Sequence, residues 1–159
     1  MRGLDTELVV GPAVTRTSLL LLRSALGMLA FAGMPRRYPL GPDTWRTTLD
    51  ELADVPSGLY LAVDDADRVR WLGKAHRAGG VGARLGEHLD RPERAAAFAA
   101  VYVAEADPYI SGPAIAAAEG YAADGLQLRG RLGPRTWPSA HNWAVVVGAA
   151  RPSGARPRA

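Results

Sequence analysis

The chain has 159 residues, no cysteine and a formal net charge of +3 at neutral pH. The lack of cysteine excludes disulfides and thiolate metal sites, while the positive charge suits a polyanionic partner such as a nucleic acid. The length predicts one main domain with extensions, large enough to bury a core, and we expect an α/β (α+β) fold.

The most apolar stretch of the sequence, residues 17–34, predicts a buried helix with Thr17 or Ser18 as its N-cap and with Gly33 and Pro35 ending it. Arg23 interrupts the stretch and no basic region directly precedes it, so the pattern argues against a membrane span and a signal peptide. We therefore expect a cytoplasmic protein without stable membrane association. A membrane-associated or partner-binding role through this stretch stays open as an alternative.

Residues 1–55 as a whole are predicted to form an N-terminal helical extension. Within it, residues 1–16 are interpreted as a loosely ordered arm, and the proline-rich segment 35–42 as a linker. A short helix over 45–53 is expected to follow, with Asp43-Thr44 as its cap.

A β-hairpin is predicted next, because the apolar runs 59–63 and 69–73 flank a polar stretch of turn-forming residues. A helix over 81–89 should follow, since apolar residues recur there at every fourth position. Arg84 and His88 are also four positions apart, so on a helix they can point at one ligand.

The rest of the main domain, residues 56–148, supplies a third strand and a second helix. Residues 90–93 are interpreted as a break, residues 98–105 as a strand, and residues 113–124 as a helix that Gly125 ends. We therefore expect a small, mainly antiparallel three-stranded sheet flanked by helices. The apolar run 144–149 is compatible with a final strand, and residues 149–159 are predicted to be a disordered basic tail.

This ordered set of features resembles the catalytic domain of the GIY-YIG nuclease family over roughly residues 58–125. Gly58-Leu59-Tyr60 stands where the family has its first signature, and Trp71-Leu72-Gly73 where it has its second. The positions that match functional side chains of the family are Tyr60, Trp71, Lys74, Arg84, His88 and Glu119.

The resemblance implies a metal-dependent endonuclease that hydrolyses DNA phosphodiester bonds with Mg²⁺ or Mn²⁺. Glu119 would be the metal ligand, and Arg84 would hold the phosphate with two donors. Tyr60 would be the general base or would position water, and nearby cations would have to lower its pKa for it to act as a base. His88 would bridge Tyr60 and the substrate, or shuttle the proton.

Trp71 departs from the family pattern, which has a tyrosine at this position. An indole has one N–H donor and no acceptor, so it cannot take or relay a proton as a hydroxyl does. A catalytically inactive nucleic-acid-binding module of the same fold is therefore an alternative to the endonuclease.

Basic and aromatic residues interleave over residues 126–143, a pattern that fits backbone contact and base stacking on a nucleic acid, which we expect to be DNA. An ordinary loop with tryptophans in the core would give the same pattern. The residues predicted to contact nucleic acid are Gly73, His76, Arg77, Arg129, Arg131, Arg135 and Asn142.

Overall fold

A four-stranded antiparallel sheet with helices on both faces organises the computed structural model, which describes residues 10–31, 33–133 and 135–152. The strands are β1 (Arg36–Pro39), β2 (Ser57–Val63), β3 (Val69–His76) and β4 (Ala100–Glu105). The helices are α1 (Arg16–Ser24), α2 (Trp45–Leu52), α3 (Gly80–Leu89), α4 (Pro92–Ala97) and α5 (Gly112–Gly125). The strand order is β1-β4-β2-β3, so β2 lies inside the sheet and β3 forms one edge. The α+β class is as expected, with one strand more than predicted.

Strand β2 is buried on both faces, and its alternating side chains divide the core in two. Leu59 and Leu61 pack with Leu22 of α1 and Ile115 of α5 on one face. On the other face, Tyr60 packs in a second cluster that includes residues of α2 and α3. The functional residues of β2 and β3 are therefore held between two packed layers.

The predicted hairpin is confirmed, because β2 and β3 pair antiparallel from Ser57 with His76 to Val63 with Val69. Asp64 closes its turn by accepting hydrogen bonds from the N–H groups of Ala66 and Arg68. The predicted helices of the main domain and the short helix before it are also present, as α3, α5 and α2.

The predicted helix over residues 17–34 is wrong in extent. Helix α1 begins one residue before Thr17, where Thr15 and Ser18 form a reciprocal capping box, and it ends at Ser24. The chain then turns through Gly27, which has a φ of +56°, into a short 3₁₀ helix. None of the described helices is long and apolar enough to cross a membrane.

The proline-rich segment 35–42 is not a linker, because it contains strand β1. This strand pairs with β4 from Arg36 with Val103 to Pro39 with Ala100. A proline is tolerated here because an edge strand does not need every N–H group for pairing. The segment predicted as a purely helical extension thus supplies the fourth strand of the sheet.

The chain ends also differ from expectation. Part of the predicted loose arm is paired with β3, since Gly11 donates to the Val69 carbonyl and Val69 donates to the Pro12 carbonyl. The run 144–149 is not a strand but contains a π-helix (Ala144–Gly148). The preceding Trp143 stacks on Tyr121 of α5 and donates to the Ala25 carbonyl. These two contacts hold the run against helices. Residues 1–9 and most of the predicted tail, 153–159, lie outside the described residues.

Candidate active site

The candidate site is built around the open edge of strand β3. The element α3 packs against this strand from one side of the sheet and α5 from the other. Trp71 lies on the same face as Tyr60, whereas Lys74 is paired with Leu59 and lies on the opposite face with α5. The residues of the site therefore come from both faces and meet at the edge of β3 over residues 71–74, beyond the part that the N-terminal segment covers at Val69.

Tyr60 and Gly73, which belong to the two signatures, face each other across the hairpin. The Tyr60 side chain is fully buried, and a Cβ atom on Gly73 would lie 2.5 Å from its hydroxyl oxygen. Any side chain at position 73 would collide with the ring, so glycine is required there for the Tyr60 hydroxyl to lie across β3. Gly58 meets a similar constraint, because its Cβ would lie 2.6 Å from the Ala104 carbonyl oxygen of β4.

His88 of α3 binds the Tyr60 hydroxyl directly, with its Nε2 atom 3.0 Å from the Tyr60 oxygen. The imidazole is buried among aromatic rings, and its centroid lies 4.7 Å from that of Trp71 in an edge-to-face arrangement. The position of His88 on α3, four residues after Arg84, thus places its imidazole against Tyr60 of the first signature.

Burial dominates the electrostatics of this pair. It raises the pKa of Tyr60 to about 12, and the opposing charges of Arg84 and Arg135 do not overcome it. Arg84 and Arg135 act in the direction that a catalytic base would need, but burial outweighs them, and the hydroxyl is protonated at neutral pH. Burial, followed by the charge of Arg94, lowers the pKa of His88 to about 4, so its imidazole is neutral.

Glu119 of α5 is a buried carboxylate held between two cations. Its Oε1 accepts from the Lys74 ammonium at 3.0 Å, and its Oε2 accepts from the Arg135 guanidinium at 3.1 Å. The carboxylate side chain is 1% exposed, whereas the side chains of Lys74 and Arg135 are 36% and 24% exposed. The two cations thus neutralise the buried glutamate and are themselves partly exposed to water.

Arg135 connects the two faces of the site. Besides Glu119, it donates to the Leu72 carbonyl of β3 and lies with its guanidinium carbon 4.8 Å from the Trp71 ring centroid. Trp137 donates to the same Leu72 carbonyl through its indole N–H. The loop after α5 therefore covers part of the β3 edge and brings a guanidinium to both Trp71 and Glu119.

Arg84 lies on the exposed side of α3 and forms an ion pair with Glu87 at 3.1 Å. The positive charge of Arg84 acts to lower the pKa of Tyr60. The negative charge of Glu119, on the other side of β3, acts to raise it. The structure thus gathers all six positions matched to functional side chains of the nuclease family around one strand edge.

Several residues predicted to contact nucleic acid form hydrogen bonds within the chain. His76 bonds with the Ile110 carbonyl, and Arg77 donates to the Pro108 carbonyl. Arg129 bonds with Asp124 and with three carbonyl groups, so it ties α5 to the following loop.

Among the other predicted contacts, Arg131 is exposed. The Asn142 carbonyl accepts from Val145 and Val146 at the start of the π-helix. Gly73 and Arg135, in contrast, contact residues of the candidate site directly.

Arg94 is the site residue that sequence reasoning missed. It lies on α4, with its Nη1 atom 2.7 Å from Nδ1 of His88 and its guanidinium carbon 4.3 Å from the Trp71 ring centroid. Residues 90–93 were predicted to be a break, yet Pro92 occupies the first turn of this helix, where proline is favoured. That proline, followed by Glu93 and alanines, was the available signal for the helix.

The donor set for a metal ion is a single carboxylate. No cluster of three or more histidine, aspartate or glutamate side chains that could hold an ion occurs in the described part of the chain. Mg²⁺ can bind through one carboxylate with waters and substrate phosphate, and each oxygen of Glu119 has a lone pair beyond the one that its cation uses. Glu119 therefore fits the role of protein ligand in its chemistry, provided that Lys74 or Arg135 yields space.

Comparisons with family models, curated proteins and solved structures found no match to this chain. The likeness to the nuclease family therefore rests on the residues themselves and on the geometry of the edge of β3.

Proposed function

We propose that this chain is a metal-dependent endonuclease of the GIY-YIG type that hydrolyses phosphodiester bonds of DNA. The observation that carries the proposal is that the Tyr60 hydroxyl, bound to His88, lies near enough to the buried Glu119 carboxylate for the charge of Glu119 to act on it. Lys74 and Arg84 supply positive charge at the same place, as a phosphate substrate requires.

The protonated Tyr60 hydroxyl acts as a hydrogen-bond donor to the phosphate or to the attacking water, because its raised pKa prevents it from being a base in the free protein. Lys74 and Arg84 bind the phosphate oxygens, and Arg84 can do so with two donors. When bound, a divalent ion held by Glu119 would lower the pKa of a water molecule and neutralise charge on the phosphate.

Incubation of the pure full-length chain with supercoiled plasmid, in Mg²⁺, Mn²⁺ or EDTA, tests the proposal. We expect cleavage with either metal, none with EDTA, and loss of cleavage in Tyr60→Phe and Glu119→Gln. The matched controls are Tyr109→Phe and Glu51→Gln, which change exposed side chains outside the cluster and should cleave like the unaltered chain. Equal cleavage by Tyr60→Phe and its control would refute the role given to Tyr60.

A catalytically inactive nucleic-acid-binding module is the second candidate. Trp71 favours it, since the indole cannot relay a proton, and so do the two cations that occupy Glu119. This candidate predicts salt-dependent DNA binding through displaced counterions, with no cleavage in any divalent ion. Binding measured at several salt concentrations beside the plasmid assay separates the two.

A further inference from the structure

The contact between Arg94 and His88 fixes which imidazole nitrogen carries the proton. A guanidinium group can only donate hydrogen bonds, because none of its nitrogens is an acceptor. Nη1 of Arg94 lies 2.7 Å from Nδ1 of His88, so Nδ1 must accept from Arg94. A neutral imidazole with a lone pair on Nδ1 carries its proton on Nε2. The protonated nitrogen is therefore the one that faces Tyr60.

The direction of the next hydrogen bond follows from this tautomer. The Nε2 atom lies 3.0 Å from the Tyr60 hydroxyl oxygen and has no lone pair, so it donates and the oxygen accepts. The Tyr60 proton then points away from His88. This arrangement excludes His88 as the group that takes the Tyr60 proton, which was one of the two roles that the family resemblance implied.

An imidazolium is disfavoured at this position. It would have N–H groups on both nitrogens and could not accept from Arg94. The charged groups that act on His88, besides its hydrogen-bond partner Tyr60, are Arg94, Arg84, Arg135 and Arg91. All four are positive, and together with burial they lower the pKa of His88 to about 4.

Trp71 helps to hold Arg94 in place. The Arg94 guanidinium lies over the indole, and the indole also packs edge-to-face with the His88 ring. A cation–π contact of this kind restricts the side chain that makes the hydrogen bond to Nδ1. The tryptophan that departs from the family pattern thus has a defined structural role here.

We propose that Arg94 is a positioning residue that holds His88 in the Nε2–H tautomer, so that the Tyr60 hydroxyl accepts from His88 and keeps its own proton available for the substrate. This inference rests on the proposed function, in which the Tyr60 hydroxyl acts on a phosphate or on water. The relay runs from the guanidinium of α4, through the imidazole of α3, to the hydroxyl of β2.

The test is the tautomer of His88 in the ¹⁵N-labelled full-length chain, read from long-range proton–nitrogen correlations of the imidazole at neutral pH. The chain has 3 histidines, and His88→Gln assigns the signal. We expect a protonated Nε2 and a bare Nδ1 in the unaltered chain. An Nδ1–H tautomer, or a mixture of the two, would overturn the inference without any variant.

Arg94→Met should replace the single tautomer with a mixture and shift the His88 pKa upward, whereas Arg94→Lys, which keeps a donor, should retain the Nε2–H form. The matched control is Arg91→Met, which removes an equal charge from an exposed arginine nearby and should leave the tautomer unchanged. An unchanged tautomer in Arg94→Met would overturn the inference.

The activity readout is the pH profile of plasmid cleavage. Arg94→Met should lower kcat more than it changes KM, and it should introduce an inflection between about pH 5 and 8, where an unconstrained histidine titrates. If cleavage is absent in the unaltered chain but the tautomer follows Arg94, the proposed function fails and the structural assignment stands. If cleavage occurs and the tautomer does not follow Arg94, the inference alone fails.

Discussion

The two faces of strand β3 keep buried polar groups by different means. On the Tyr60 face the groups are neutral, since burial raises the pKa of the tyrosine and lowers that of His88. On the Glu119 face the group is a carboxylate paired with two cations. The contrast teaches that one strand edge can meet the cost of burying polar atoms by neutralisation on one side and by pairing on the other.

The largest expected effect on stability comes from removing both cations that pair with Glu119. The double variant Lys74→Met/Arg135→Met leaves the Glu119 carboxylate buried without a cation, which should cost about 3–5 kcal/mol of unfolding free energy. Urea denaturation at neutral pH measures it. Adding Glu119→Gln removes the unpaired charge and should recover much of the loss. A double variant as stable as the unaltered chain would show that Glu119 does not depend on these partners.

On the Tyr60 face, the neutral His88 should make the stability of the fold depend on pH. Well above pH 6.5 His88 is neutral in both the folded and the unfolded chain, but as the pH falls through 6.5 toward about 4 mainly the unfolded chain takes up its proton. Stability should therefore fall as the pH falls through this window, by on the order of 3 kcal/mol from this residue. Urea denaturation from pH 7 to 4.5 should give a flatter profile for His88→Gln. Parallel profiles would contradict the assignment of a neutral, buried imidazole.

A smaller effect is expected from removing the hydroxyl that accepts from His88. Tyr60→Phe leaves the Nε2–H group buried without an acceptor, which should cost about 1–3 kcal/mol. The matched control is Tyr102→Phe, whose lost partner, Asp67, is only partly buried and can be hydrated. Thermal or urea denaturation should rank Tyr60→Phe below Tyr102→Phe in stability, and the reverse order would contradict the buried hydrogen bond.

The smallest change in stability is expected from Trp71→Tyr, which restores the tyrosine of the family signature. The cation–π contacts with Arg94 and Arg135 weaken, at a cost below about 1 kcal/mol. If the missing hydroxyl limits the reaction, plasmid cleavage should be faster than in the unaltered chain. Slower cleavage at unchanged stability would instead show that the indole platform for Arg94 matters more than the hydroxyl.

The parts of the fold that could be predicted from sequence are those that local chemistry determines. Turn-forming residues between two apolar runs predicted the hairpin, and regular apolar spacing predicted α3 and α5. Strand β1 was missed because its pairing with β4, from Arg36 with Val103 onward, joins segments far apart in sequence. The local composition is rich in proline, which is typical of a linker and not of a strand.

The candidate site divides in the same manner. The side chains matched by the family signatures could be named because their spacing is short and ordered. Arg94 could not, since its helix was interpreted as a break, and its contact with His88 depends on how α4 packs after the turn. The bond between Arg135 and Glu119 likewise depends on the path of the loop after α5, which no residue pattern in that loop specifies.

The cover over the outer edge of β3 also bears on self-association. An edge strand with free backbone groups is a template on which another chain can add a strand. Here Gly11 and Pro12 satisfy the backbone at Val69, and the side chains of Arg135 and Trp137 occupy the carbonyl of Leu72. Intermolecular β-sheet growth is thus obstructed at the same edge of β3 where the candidate site lies.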